Sequence, residues 1–387
     1  MLAALTPLVA AAAEPTVATV PTVPAAGHLA FVTATGALDI VAVLADGTTT
    51  DPVQIAPVTQ VAAPKTVKVV GITVSADKNW LAWAEETFRP TKRYGELETA
   101  SVIALRNMYT GKTITVHSAA YPIGFAGSQL VVEGARTARL VLKPTPHLVR
   151  IPEGNAYPVA AYADGVVDVL SHDAGTSGLV SREELRLTTF SGHHTTLHHY
   201  NIGKDYRDVT ANLDGVSPDG RHLIVERGNH QDFNGLGPSS LFDEYSMTGS
   251  HVRTELGHYG TNKADWRLVS TTFVGAKDTP WLSLHSGFIK VAKNKYIVHG
   301  VVVRYAGGKW QLERSGAIAV AGNSDGYVVV QPGQWQPVKN SVAGEYEPVP
   351  TAPALLEGPG GTHTLSTVQG SEVLWVTKTD PNNPEGT

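Results

Sequence analysis

The densest group of chemically versatile side chains in this sequence is a histidine-rich run, His193-His194-Thr195-Thr196-Leu197-His198-His199. Imidazole is a common metal ligand, so the run raises the question of a metal site. In an extended strand, side chains alternate between faces, which puts His194 and His198 on one face, roughly 13 Å apart at ~3.3 Å per residue. That separation is too large for one ion, and we predict neither a metal nor another cofactor here.

Motifs for hydrolytic catalysis are missing from the sequence, which has no Gly-x-Ser-x-Gly elbow at a strand-to-helix junction and no His-Glu-x-x-His zinc motif. The adjacent acids Glu85 and Glu86 point to opposite sides of a predicted strand and do not form an acid–base pair. Four further acids recur at one position of a repeated turn: Asp77, Asp164, Asp219 and Asp325. Turn formation explains them without catalysis. We therefore predict no catalytic residue, and the motifs favour a protein that is not an enzyme.

Residues suited to binding concentrate in three long segments, 87–100, 172–185 and 227–242. These segments mix charged, amide and aromatic side chains, and Arg, Tyr and Phe are types enriched at interfaces. The predicted binding residues are Arg89, Lys92, Arg93, Tyr94, Arg182, Glu183, Arg227, His230, Asp232 and Phe233.

A repeated unit must position these segments: an apolar strand, a turn built on Asp or Gly, and a second apolar strand. Its clearest copy spans 216–225 and contains Ser217-Pro218-Asp219-Gly220-Arg221. From Gly27 to Gly370 the mean spacing is 49 residues over seven intervals, close to the roughly 40–50 residue period of propeller blades. In looser copies the second strand starts after Gly27, Asp77, Gly127, Asp164, Asn294, Asp325 and Gly370.

A second repeat, a strand ending in a small-polar-Gly turn, alternates with the first. Its copies lie at 45–47, 109–112, 190–193, 247–250 and 306–309, with degenerate versions at 144–146 and 332–333. Such turns join antiparallel strands because Gly accepts a positive φ. The alternation predicts four-stranded meanders, and hence an all-β β-propeller of seven blades. The spacing is irregular across 261–345, so six and eight blades stay open as alternatives.

Ring closure would remove exposed outer sheet edges by pairing the two ends of the chain. We expect the strands around Phe31-Val32 and Ile40-Val41 to share a sheet with Thr364-Leu365 and Val373-Leu374-Trp375-Val376.

The turn Ser217-Pro218-Asp219-Gly220-Arg221 resembles the repeat of the TolB-like, WD40-like (PD40-type) propellers, and Ser75-Ala76-Asp77-Lys78-Asn79-Trp80 is a partial match. The spacing of the repeats agrees with this family over residues 27–380, but the motif itself matches closely in a single repeat. No Trp-Asp dipeptide occurs, which argues against a standard WD40 protein. The resemblance implies an extracytoplasmic scaffold that binds a partner. In some peptidases the same module precedes a catalytic domain.

Strand order divides the predicted disc into two faces. In an up-and-down blade with strands a to d, the a–b and c–d turns lie on one face, and the b–c and d–a connections lie on the other. The recurrent tight turns are all a–b and c–d, so the connections on that face are short. All three long segments are b–c connections, and long loops on one face of a rigid scaffold are a usual place for recognition.

Composition bounds the environment and the partners. The net charge of −5 argues against nucleic-acid binding, and no stretch reaches the ~18 apolar residues of a membrane span. Residues 1–13 read as a signal peptide that lacks a basic start, so we expect the natural signal to begin further upstream. We predict a linker at 14–26, one propeller domain at 27–380, a disordered tail at 381–387, and a secreted or cell-envelope location.

Together these features predict an exported, non-catalytic propeller that binds a protein or cell-envelope component through its b–c loop face. The alternative is a lactonase-like propeller hydrolase with a divalent metal at the central channel. Its ligands would come one per blade and would leave no local motif.

Overall fold

The computed structural model describes residues 25–376 except for short internal gaps. These gaps are 45–47, 63–64, 92–94, 119, 135, 143–144, 153–155, 174–179, 202–206, 211–214, 218–219, 230–240, 261–265, 288, 293–294, 338–345 and 359. The predicted signal peptide, the tail at 381–387 and most of the predicted linker lie outside the described residues; residues 25 and 26 of that linker begin the first strand. No helix in the described part of the chain has the length and hydropathy needed to cross a membrane.

Seven four-stranded antiparallel sheets form the blades of a β-propeller. We call the strands a to d, from the ring centre outward, and number them in chain order. The first three strands of the chain form b, c and d of blade 1: β1 (Ala25–Thr33), β2 (Leu38–Leu44) and β3 (Val53–Ala56). A short strand, β4 (Thr59–Ala62), leads into blade 2.

Blades 2, 3 and 4 follow as regular meanders. Blade 2 comprises β5 (Lys65–Val74), β6 (Trp80–Thr91), β7 (Gly95–Asn107) and β8 (Thr113–His117). Blade 3 comprises β9 (Tyr121–Ala126), β10 (Gln129–Glu133), β11 (Ala138–Val141) and β12 (His147–Arg150). Blade 4 comprises β13 (Tyr157–Tyr162), β14 (Gly165–Asp173), β15 (Val180–Thr189) and β16 (His194–Asn201).

Blades 5, 6 and 7 keep the four-strand order, and the last two also carry additional strands. Blade 5 comprises β17 (Arg207–Thr210), β18 (His222–Asn229), β19 (Leu241–Ser246) and β20 (Arg253–His258). Blade 6 comprises β21 (Trp266–Val274), β22 (Thr279–Ser286), the hairpin β23 (Ile289–Ala292) and β24 (Lys295–Ile297), β25 (Gly300–Ala306) and β26 (Lys309–Ser315). Blade 7 comprises β27 (Ala317–Gly322), β28 (Val328–Pro337), β29 (Tyr346–Pro350), β30 (Ala354–Gly358) and β31 (Gly361–Leu365).

The last strand, β32 (Gly370–Trp375), closes the ring as strand a of blade 1. It pairs antiparallel with β1, from Leu29 opposite Trp375 to Val32 opposite Glu372. The predicted pairing of the two chain ends is therefore confirmed, and the blade number is seven. The expectation for Thr364-Leu365 was wrong: these residues end β31, the outermost strand of blade 7.

The predicted turns are correct in blades 2 to 5 and partly wrong in blades 6 and 7. Asn294 lies between β23 and β24, and the a–b turn of blade 6 is 275–278 instead. Pro332-Gly333 lies inside β28, and the c–d turn of blade 7 falls between β30 and β31. Gly27 lies within β1, and Gly370 begins β32, so neither is an a–b turn. Additional strands between b and c lengthen blades 6 and 7, so the spacing between turns no longer follows the repeat there.

The hydrophobic core consists of seven separate clusters, one between each pair of neighbouring blades. Each sheet alternates its side chains toward the blade on either side, so both faces of every blade are apolar. Trp83, for example, is fully buried between blades 1 and 2. The core therefore follows the ring and leaves its centre open.

The a–b turns of blades 2, 5 and 7 are each held by a polar side chain at their first position. The Ser75 hydroxyl accepts a hydrogen bond from the Trp80 amide at 3.0 Å, and the Ser217 hydroxyl accepts one from the His222 amide at 2.9 Å. In blade 7 the Asn323 side-chain oxygen accepts the Tyr327 amide at 3.0 Å. The recurring acid has a supporting role, because Asp77 accepts from the Asn79 amide at 3.1 Å. Asp77 therefore supports its turn, as predicted, whereas Asp219 lies outside the described residues.

Most of the innermost strands share an irregularity of register. Six of them carry a register shift typical of a β-bulge, centred on Gly71, Ile123, Val159, Val269, Ile318 and Ser371. Apart from the start of β5, which pairs with β4, an innermost strand presents its free edge to the ring centre, and bulges are a common way to stop such an edge from pairing with another strand. The bulges also redirect individual backbone amides, with a consequence at Gly71 described below.

Candidate functional site

The two faces of the disc differ in what is added to the basic blade. Seven blades of four strands account for 28 of the 32 described strands. The other four are β4 in a d–a connection, β23 and β24 in the b–c connection of blade 6, and β29 in that of blade 7. All four therefore lie on the side of the b–c and d–a connections. We call this side the insertion face and the opposite side the turn face.

The three segments predicted as long b–c loops do connect strands b and c, but much of their length is strand. In 87–100, β6 and β7 continue as a hairpin that pairs from Trp80–Asn107 out to Thr91–Gly95. In 172–185, β14 and β15 pair as far as Asp173 opposite Val180. Two further b–c insertions, in blades 6 and 7, were not predicted from the sequence.

The structure disperses the predicted binding residues. Arg89 is exposed near the tip of the β6–β7 hairpin, and Arg182 is exposed in β15. Glu183 is buried beside the Ser171 hydroxyl, 3.2 Å away, and Arg227 is buried in β18. The others lie outside the described residues: Lys92, Arg93, Tyr94, His230, Asp232 and Phe233. As binding residues all ten stay predictions, but Glu183 and Arg227 lie buried in strands, because β14–β15 and β18 extend further than the sequence indicated.

Arg227 belongs to a buried charged cluster between blades 4 and 5. The Asp243 carboxylate, with no exposed surface, is 2.7 Å from Arg227 Nε and 2.8 Å from Arg253 Nε. It also accepts a hydrogen bond from the Tyr200 hydroxyl at 3.1 Å. The half-exposed Glu255 carboxylate joins both guanidinium groups more loosely, at 3.2 and 3.3 Å. Because the buried Asp243 carboxylate accepts hydrogen bonds from both guanidinium groups, this arrangement supports a structural role.

The electrostatics of the cluster agree with that role. Burial raises the pKa of Tyr200 and of Tyr245, whose hydroxyl contacts that of Tyr200, so both phenols are neutral. Hydrogen bonding to Asp243 raises the pKa of Arg253. A second buried acid, Asp168 in blade 4, is 2.8 Å from Arg186 Nε, and burial raises its pKa.

The histidine-rich run lies on β16, the outermost strand of blade 4, with His193 in the c–d turn, as the turn spacing predicted. One detail was wrong. A register shift at Leu197 breaks the alternation, so His198 faces away from His194 and Thr196. His194 approaches Thr188 at 2.8 Å, while His198 packs edge-on against Tyr200. Among the described residues, no three His, Cys, Asp or Glu side chains converge to hold a metal ion.

Sequence reasoning missed an aromatic pair on the insertion face. Tyr121 and Tyr157 are the first residues of the innermost strands of blades 3 and 4, and they are 39% and 37% exposed. The signal was present in the sequence as a repeated Ala-Tyr-Pro at 120–122 and 156–158. Exposed tyrosines offer a rigid apolar ring with a polar hydroxyl, a combination that interfaces favour.

Sequence reasoning also missed the chemistry of the central channel. A cavity of about 670 Å³ lies at the ring centre, lined by the innermost strands of six blades and by turn residues of blade 5. The described lining contains one acidic side chain, Glu372 of β32. Its two carboxylate oxygens accept hydrogen bonds from the amides of Gly71 and Ile72, at 3.3 and 3.0 Å.

The chain was compared with protein families, curated proteins and solved structures, and only solved structures match it. No family model matches the chain, and no curated protein matches it. A protein from Lactobacillus plantarum is 10% identical over 90% of this chain and 98% of the other, with a TM-score of 0.42. The β-propeller domain of the Trilobed protease from Pyrococcus furiosus is 11% identical over 82% and 97% of the two chains, with a TM-score of 0.39. Kuenenia stuttgartiensis hydrazine synthase is 11% identical over 82% and 90%, with a TM-score of 0.44.

The chain is a seven-bladed β-propeller. This statement rests on its strand pairing and is consistent with the resemblance to TolB-like propellers. Identities and TM-scores this low carry no argument about function, so any activity must be argued from the residues of this propeller.

Proposed function

We propose that this propeller is a non-catalytic binding scaffold that recognises a protein or cell-envelope component through its insertion face. The observation that carries the proposal is the placement of all four additional strands on that face. Blades 3 and 4, which have no additional strand, bury a hydrophobic cluster between them without one. Structure added to one face of a rigid ring is the arrangement expected of a recognition surface.

The exposed side chains on this face are of types that suit an interface. Arg89 is exposed on the β6–β7 hairpin, Val291 of β23 is 48% exposed, and Tyr121 and Tyr157 stand at the starts of two neighbouring innermost strands. Large apolar and arginine side chains of this kind supply most of the binding energy in protein interfaces. The proposal includes export, for which the sequence of residues 1–13 is the support.

No observation in the described residues favours the alternative, a metal-dependent hydrolase. The described channel wall has a single acidic side chain and no histidine, whereas a central divalent ion needs several oxygen or nitrogen ligands.

The test compares two triple variants of the purified chain in pull-downs from native envelope extract. Arg89, Arg93 and His230 are replaced by Ala on the insertion side. The matched control replaces two exposed lysines and an exposed histidine of the turn face, Lys277, Lys309 and His193. The first variant should lose most of the captured partner, quantified by mass spectrometry, with an unchanged thermal midpoint. Equal capture by the two variants would refute the proposal.

A further inference from the structure

The central channel has a wall that is apolar over most of its surface. Apolar residues from four different blades line it, including Ile72, Ile123, Val269 and Ile318. Its volume, about 670 Å³, is within the range of pockets that bury a small molecule. The two bases in the described lining, Lys78 and Arg221, lie at the a–b turns, that is, at the turn-face end of the channel.

Glu372 is the one acid in the described lining, and the fold presents it to the channel in a defined orientation. Gly71 has a φ of +63° and forms the bulge of β5, which turns its amide and that of Ile72 away from β6 and toward Glu372. Each carboxylate oxygen uses one of its hydrogen-bonding positions on these amides. A carboxylate oxygen accepts about two hydrogen bonds, so the group keeps accepting capacity on its open side.

No cation neutralises Glu372 within hydrogen-bonding distance in the described part of the chain, in contrast to Asp168 and Asp243, each of which has an arginine. A carboxylate in a mostly apolar wall gains from a cationic partner, because charge–charge attraction is strong where water is scarce.

Hydroxyl groups on the wall of blade 6 provide an independent observation. Ser270 and Thr271 line the cavity, and Thr271 is 3% exposed. Within the described residues neither hydroxyl oxygen has a hydrogen-bond partner. Both oxygens are buried, and buried hydroxyls are normally paired, so this part of the wall carries unused hydrogen-bonding capacity.

We propose that the central channel binds a ligand with one primary ammonium group on an aliphatic body, with Glu372 as the counter-charge. The ammonium donates to the open side of the Glu372 carboxylate, and the aliphatic chain lies along the channel wall. A second ammonium at the far end of the chain is disfavoured, because it would approach Lys78 and Arg221. The source of the group is a free alkylamine or a lysine side chain of a peptide. The proposal does not depend on the insertion face.

The test uses n-hexylamine as the probe, with hexanol and hexanoate as neutral and anionic compounds of the same length. Titration calorimetry on the full chain should give one hexylamine site, at least about tenfold tighter than hexanol, and no binding of hexanoate. 1,6-Diaminohexane should bind more weakly than hexylamine. An acetyl-Gly-Lys-Gly-amide arm identifies the source: binding indicates a peptide lysine, and binding of hexylamine alone indicates a free amine.

The decisive variant is Glu372→Gln, which keeps an acceptor oxygen for the amides of Gly71 and Ile72 but removes the charge. It should lose the preference for hexylamine over hexanol, whereas Glu133→Gln, at a half-buried acid outside the channel wall, should keep it. An unchanged preference in Glu372→Gln would overturn the proposal. If that variant does not fold, amide NMR of the wild type decides: hexylamine should shift the Gly71 and Ile72 signals, and their constancy at saturation would equally overturn it.

Discussion

Two interfaces between neighbouring blades perform the same task with different chemistry. Between blades 7 and 1, where the ring closes, twelve buried hydrophobic residues form one cluster. The polar link there is neutral: the buried Gln331 side chain accepts a hydrogen bond from the Gly370 amide at 3.1 Å. Between blades 4 and 5 an apolar cluster is also present, but beside it lies the buried charged group of blade 5, Asp243 with Arg227 and Arg253, which meets blade 4 through the Tyr200 hydroxyl.

The difference shows that propeller geometry does not dictate how a blade is attached. An apolar interface gains from area removed from water and tolerates changes that preserve volume. A buried ionic interface gains little over an apolar one, but it is sensitive to the removal of a single partner, because the remaining charge is left uncompensated. The two interfaces should therefore fail in different ways.

The largest effect is expected at the ionic interface. Asp243→Ala leaves Arg227 and Arg253 without their buried counter-charge, and we expect a loss of about 3–5 kcal/mol in the free energy of unfolding. Urea denaturation followed by tryptophan fluorescence measures it. The matched control is Glu255→Gln, because Glu255 is 57% exposed and bonds the same two arginines; it should cost about 0–1 kcal/mol. Equal losses would show that Asp243 is not the anchor of the cluster.

A somewhat smaller or comparable effect is expected at the apolar interface. Leu356 of β30 is almost fully buried in the cluster between blades 7 and 1. Leu356→Ala should cost about 2–5 kcal/mol, through lost burial and the cavity left behind. Unlike Glu255→Gln, its effect should not depend on the salt concentration. Leu312→Ala, at a position that is 53% exposed, is the control and should change stability little. A strong salt dependence of the Leu356→Ala effect would contradict an apolar interface.

The smallest effect concerns Glu372, which links blade 1 to blade 2 through two amides and no cation. Burial raises the pKa of Glu372 above its ordinary value of 4.5. A raised pKa in an acid means that its contribution to stability is fully present below pH 4.5 and is lost as the pH rises through the folded-state pKa. Glu372→Gln cannot ionise, so its thermal midpoint relative to the wild type should rise between pH 4 and pH 7. A constant difference would show that the pKa of Glu372 is not raised.

The fold was largely predictable because the turns that punctuate it depend on local chemistry. Ser75 and Ser217 hold their turns through hydrogen bonds to residues at most five positions away, so a short stretch of sequence is enough to predict each turn. The errors arose where strands were added: the hairpin of β23 and β24 contributed a false turn at Asn294. The site was less predictable, because a bulge of one residue reverses which face a side chain occupies, as at Leu197.

By itself, the sequence determined the all-β class, the four-stranded repeat and the presence of one face with short turns, since these follow from short-range turn preferences and alternating hydrophobicity. The tertiary structure alone decided that Arg227 lies against Asp243 rather than in a loop, and that Glu372 meets the amides of Gly71 and Ile72. Glu372 and Ile72 are 300 positions apart in the chain. Contacts of that range depend on ring closure and strand register, which no local pattern encodes.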